Sequence, residues 1–114
     1  MAETPTQKQL RIKLGVCKRL VREMSSYEEE VQINEARVQK MKAEEADEYD
    51  IRKQEEVLGE SHMMIPDTRR RMDQAFQDLA AFLEENEDDA DISGTENLEE
   101  ARKLCSEHNS SEEG

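Results

Sequence analysis

Apolar side chains recur along the first third of the chain in alternating steps of three and four. The register runs through Leu10, Cys17, Leu20, Met24, Tyr27, Val31, Val38 and Met41, with Lys13 and Asn34 as its two polar members. That spacing is the seam of a heptad and predicts one long helix over about residues 5–44. The start of the helix is legible as well. Thr4 offers a capping hydroxyl, Pro5 stands where the first N–H would lack a partner, and Gln7 can reach back to the cap. Gly15 interrupts the helix at a cost of about 1 kcal/mol relative to alanine. Such a glycine marks either a close approach by a neighbour or nothing.

A second series follows the turn Glu44-Glu45-Ala46-Asp47, in which Asp47 is a candidate cap. Ile51, Leu58, Ile65, Met72 and Leu79 stand seven apart, and Val57, Met64, Ala75, Phe76, Phe82 and Leu83 accompany them. Pro66 lies inside this series. A proline removes one helical hydrogen bond and crowds the carbonyl four residues back, yet the seven-residue step crosses it unbroken. The pattern predicts one helix over about 48–85, kinked at Pro66, in an antiparallel hairpin with the first. Residues 84–91 are too acidic to pack and read as a loop. Ser93 and Thr95 are cap candidates with Gly94 as punctuation between them, and Leu98, Ala101, Leu104 and Cys105 predict a third, short helix over about 95–108. Residues 109–114 read as a disordered acidic tail. The expected fold is all-α: an elongated antiparallel three-helix bundle occupying residues 1–108.

Composition alone would argue for disorder. The 114 residues hold 29 acidic and 16 basic side chains, a net charge of −13, and low hydrophobicity with high charge is the disorder signature. Periodicity overrides it. Only 4% of residues are aromatic, with four glycines and two prolines, too few for the strands and turns of a β-sandwich or barrel. No run of about 18 apolar residues could span a membrane, and the N-terminus lacks the apolar core of a signal peptide. Two cysteines, Cys17 and Cys105, make no disulfide framework, so a reducing, cytoplasmic setting is expected. So acidic a chain is a poor partner for nucleic acid.

The charge is uneven: +2 over residues 1–44, −5 over 45–83 and −10 over 84–114. The first helix begins basic, with Lys8, Arg11, Lys13, Lys18, Arg19 and Arg22 against Glu3 alone. Either these cations neutralise the acidic loop, or Lys13, Lys18 and Arg22 meet an acidic partner. Catalytic chemistry finds no support. His62 and His108 have no companions at metal-ligand spacing, no glycine-rich phosphate loop occurs, and a narrow bundle offers no cleft to perturb its many carboxylates. The expectation is a binding protein, not an enzyme, with no cofactor, metal or small-molecule substrate.

With Ile51, Leu58, Ile65 and Met72 facing inward, Glu56, Met63 and Arg70 point outward, and Pro66 lies towards solvent where its missing N–H costs least. Glu56, Glu60, Met63, Pro66, Asp67, Arg70 and Arg71 then form an apolar centre with a charged surround, the composition of a protein-binding patch. The alternative is that Met63 fills a gap left by the kink, with Arg69-Arg70-Arg71 merely solvated.

The stretch from Tyr49 through Glu55-Glu56-Val57-Leu58-Gly59-Glu60-Ser61 into His62-Met63-Met64-Ile65-Pro66-Asp67 and Arg69-Arg70-Arg71-Met72 closely resembles the tubulin-binding cofactor A family. So does Lys13-Leu14-Gly15-Val16-Cys17-Lys18-Arg19-Leu20-Val21-Arg22-Glu23. The likeness covers roughly residues 8–83, and the Met-Met-Ile-Pro-Asp segment is its specific part. The resemblance implies a three-helix bundle whose middle helix bends at a proline. It also implies a cytoplasmic, cytoskeleton-associated chaperone that captures β-tubulin after release from the chaperonin and holds it for later folding cofactors, without ATP or metal. Lys13, Lys18 and Arg22 would steer it towards acidic tubulin surface. The rival reading is a coiled-coil homo-oligomeric scaffold, in which Asn34 would set register between chains. The chaperone reading expects a monomer or weak dimer.

Overall fold

Three helices carry the chain: α1 (Pro5–Ala43), α2 (Glu48–Glu85) and α3 (Glu96–Glu113). The structure is a computed structural model that describes residues 2–113, with side chains through residue 111. No strand occurs among the described residues.

Each boundary has a local cause. At the start of α1, Thr4 Oγ1 accepts from the Gln7 N–H at 3.2 Å, and Gln7 Oε1 accepts from the Thr4 N–H at 3.0 Å. This reciprocal capping box is the one its sequence predicts. Two backbone bonds close the end of α1: Ala46 N–H to the Met41 carbonyl at 2.9 Å and Glu45 N–H to the Lys42 carbonyl at 3.1 Å. That is a Schellman motif with Glu45 in the left-handed position, φ 55°. Asp47 Oδ1 then caps α2 by accepting from the Tyr49 N–H at 2.7 Å. Thr95 caps α3, its Oγ1 accepting from the Leu98 N–H at 3.3 Å and donating to the Ile92 carbonyl at 2.7 Å. Gly94, at φ 76°, makes the preceding turn. Neither proline nor glycine follows until Gly114. Helix α3 therefore runs through Glu113, five residues past the expected end at 108. Residues 109–113, expected as tail, are helical, and Gly114 lies outside the described residues.

The chain divides into two compact units. One comprises Met1–Arg19 with Met72–Gly114. Leu10, Leu14 and Cys17 of α1, Phe76, Leu79 and Phe82 of α2, Ile92, and Leu98 and Ala101 of α3 form its buried core. Met72, Ala75, Leu83, Leu104 and Cys105 pack against that core. Three helices enclose a centre wide enough for two phenylalanines, so burial shifts off the simple heptad. Leu14 is buried in place of Lys13, and Phe76 and Phe82 flank Leu79. Gln7 Nε2 donates to the Asp91 carbonyl at 2.9 Å, tying the first turn of α1 to the connection before α3.

The other unit is Leu20–Arg71, a two-helix hairpin. Its pairings descend α1 as they ascend α2: Asn34 meets Ser61, Glu35 meets His62, and Glu23 meets Arg71. The helices are therefore antiparallel. On α1, Leu20, Met24, Val31 and Val38 are buried, as the heptad predicts. On the part of α2 within this unit the best-buried positions are Ser61 and Thr68, while Ile51, Leu58 and Ile65 are only half-buried. Two helices cannot close around both sides of a seam. The buried hydroxyls are satisfied locally, Ser61 donating to the Val57 carbonyl at 3.1 Å and Thr68 to that of Met64 at 2.8 Å. Helix α2 continues through Pro66, whose ring is exposed. There water can reach the His62 carbonyl that the proline leaves without its helical donor.

Candidate functional site

Most of the side chains singled out by sequence lie on α2 within the hairpin unit. Met63 is 74% exposed, so it does not fill a gap in the packing. Val57 and Met64 are also exposed, at 43% and 42%. Sequence reading placed these two beside the seam and missed them as surface. Their signal was present in the hairpin's two-helix character, which leaves seam-flanking positions uncovered. Glu60 stands three and four residues before Met63 and Met64, on the same side of the helix. Glu56 and Glu60 are exposed, and no ion pair engages either among the described residues. Asp67 accepts from Arg70 at 3.0 Å and lies 3.3 Å from Arg71 Nε. Arg71 further reaches Glu23 at 3.7 Å and Thr68 Oγ1 at 3.4 Å. Asp67, Arg70 and Arg71 are thus drawn into one exposed charge network below Met63 and Pro66. Exposed pairs of this kind add little stability, around 0–1 kcal/mol each, but they hold charge in place beside the apolar side chains.

The basic start of α1 is arranged differently from the acidic-loop contact that sequence allowed. Lys18 Nζ lies 2.8 Å from Glu100 Oε1 of α3. Lys13 is half-buried with its ammonium 5.9 Å from the centre of the Phe82 ring. Arg11 pairs with Glu3 at 2.9 Å, and the hydrogen bond from Arg11 holds the Glu3 carboxyl below its ordinary range. Arg22, in the hairpin unit, is exposed and has no partner among the described residues.

Asn34 is 4% exposed and bonded within its own chain, donating to Ser61 Oγ at 2.7 Å and accepting from Gln54 Nε2 at 3.2 Å. In the three-helix unit, His108 stacks on Phe76 with ring centres 4.1 Å apart, its Nε2 3.2 Å from Asp73 Oδ1. The sequence held a signal for this, since Leu98, Ala101, Cys105 and His108 continue the steps of three and four. Burial, with smaller contributions from Cys105 and Asp78, pushes the Cys17 thiol up to about 11. It is therefore an inert core group and not a nucleophile. Among the described residues no three His, Cys, Asp or Glu side chains are grouped to hold a metal ion, and no helix is long and apolar enough to cross a membrane.

The chain is similar to proteins of known name across most of its length. The sequence profile described as "Tubulin binding cofactor A" matches residues 5–105. The human protein named "Tubulin-specific chaperone A" is 46% identical over 98 residues, covering 86% of this chain and 88% of that protein. "Tubulin-folding cofactor A" of Arabidopsis thaliana is 44% identical over 102 residues, covering 90% and 89%. The crystal structure of tubulin folding cofactor A from Arabidopsis thaliana superposes with a TM-score of 0.83 at 41% identity, covering 92% of this chain and 96% of that one.

Proposed function

The chain belongs to the tubulin binding cofactor A family of tubulin-folding chaperones, and on that premise we propose that it captures β-tubulin after chaperonin release and holds it for assembly into the αβ heterodimer. Other folding cofactors are then indirect partners, acting on the β-tubulin it delivers in the cytoplasm beside the cytoskeleton. The mechanism is binding without a chemical step. A protein that associates with a folding intermediate and not with its competitors shifts the population by mass action.

The observation that carries this reading is the exposure of Met63, Val57 and Met64 on one stretch of α2. Methionine is unbranched and polarizable, so it adapts to an incompletely folded apolar surface. Glu56, Glu60, Asp67, Arg70 and Arg71 surround these side chains with charge, which limits indiscriminate sticking and favours a partner of matching pattern. Pro66 belongs to the same surface by its exposure. Such a surface masks client apolar area reversibly, as a transfer step requires. Lys13 and Lys18 are engaged inside the three-helix unit, so their share in contacting β-tubulin is small beside that of the α2 surface.

Replacing Glu60, Met63 and Arg70 together by alanine tests the assignment. All three are exposed, so the variant should keep its helicity while losing about tenfold or more in β-tubulin affinity, the scale of a hot-spot cluster. A folded variant that retains β-tubulin as well as the parent in a pull-down would sink the assignment.

A further inference from the structure

The outer face of α1 in the three-helix unit is a basic stripe that the function above leaves unused. Lys8, Ile12, Gly15 and Arg19 follow one another at steps of four, three and four, so they lie along one line of the helix. All four are exposed, Ile12 to 47%. Arg11 flanks the line, its side chain 56% exposed while paired with Glu3. Arg19 makes no ion pair or hydrogen bond among the described residues, and Lys8, though in no direct pair, lies close enough to Glu3 to help lower its carboxyl. From Thr4 to Arg22 the sequence holds six cations and no anion. At Gly15 the stripe is open, since a Cβ built there would meet nothing within 4 Å.

We infer that this stripe is a docking site for a short, extended acidic segment of a partner protein. Charge complementarity identifies the occupant. Lys8 to Arg19 spans about 16 Å of helix, the length of about five residues of extended chain. Carboxylates at the two ends of such a segment reach Lys8 and Arg19, and its backbone rests over Gly15 against Ile12, while Arg11 stays held by Glu3. A larger polyanion is disfavoured by the net charge of the unit that carries the stripe. Residues 72–114 of the same unit hold 14 acidic and 2 basic side chains, which repel a duplex or an anionic membrane but not a peptide that ends where the stripe ends. The site differs from the α2 surface in face and in chemistry, and it does not depend on what that surface binds.

The test uses the full chain and a fluorescent peptide of consecutive glutamates, with a glutamine peptide of equal length as control. Anisotropy at low salt should report binding of the glutamate peptide alone, weakening steeply as salt approaches about 150 mM. The double variant Lys8→Glu/Arg19→Glu should lose about tenfold or more in affinity while keeping its helical circular dichroism. Arg52→Glu/Lys53→Glu, on α2 of the other unit, should stay within about twofold of the parent. The inference is overturned if the glutamate peptide fails to bind at low salt, or if both double variants lose affinity alike. Duplex DNA or anionic vesicles bound as tightly as the peptide would overturn it as well. No tubulin enters the assay, so loss of β-tubulin capture and loss of peptide binding are separate outcomes.

Discussion

Asn34 carries the polar chain of the hairpin: Gln54 donates to its Oδ1, it donates to Ser61 Oγ, and Ser61 donates to the Val57 carbonyl. A buried amide is stabilising only while its partners are present. Asn34→Ala should therefore cost about 2 kcal/mol, combining lost bonds with a small void. Asn34→Leu combined with Ser61→Ala replaces the amide and the hydroxyl it donates to by apolar groups, the half-exposed Gln54 can turn to water, and the double variant should stay within about 1 kcal/mol of the parent. Urea unfolding measures both, and a double variant less stable than Asn34→Ala would show that the amide does more than satisfy its neighbours. The polar interruption at Asn34 was legible in the heptad. Its partners were not, because they lie 27 and 20 residues away and depend on how the hairpin registers. Met63 shows the converse: its outward direction followed from periodicity alone, and its 74% exposure agrees.

At the scale of the element, capping chemistry decided the boundaries. Thr4, Pro5 and Gln7 announced the start of α1, and Thr95 that of α3, because caps are built from residues adjacent in sequence. Glu45 is the exception. It closes α1 at φ 55°, a conformation that disfavours a residue with a Cβ. Glu45→Gly should raise stability by about 1 kcal/mol, read as an increase in Tm, with the Schellman bonds retained. An unchanged or lower Tm would mean that the glutamate side chain compensates for its backbone. Helix α3 outlasted its apolar pattern because nothing in residues 109–113 stops a helix. Composition suggested an unstructured tail there, but a helix already started needs only one further bond per residue to propagate.

At the scale of the whole molecule, the net charge of −13 is gathered mainly in residues 84–114, which carry −10 of it. The seam polar groups of the hairpin bond within one chain, so pairing between copies is not needed to satisfy them. Light scattering should accordingly give the mass of a single chain at low concentration, with at most weak association as concentration rises. A tight dimer at the lowest concentrations would favour the scaffold alternative. The sequence by itself determined the class of fold, the caps that start the helices and the outward direction of Met63, because heptad spacing and caps act over a few residues. Only the tertiary structure decided which seam positions are truly enclosed. Three helices surround Phe76, Leu79 and Phe82, whereas two leave Leu58 and Ile65 half-covered and Val57 and Met64 exposed. It also separated the engaged cations, Arg11, Lys13 and Lys18, from Lys8 and Arg19. The reason is the same in both cases: enclosure and ion pairing depend on neighbours from other elements, and those neighbours are distant in the chain.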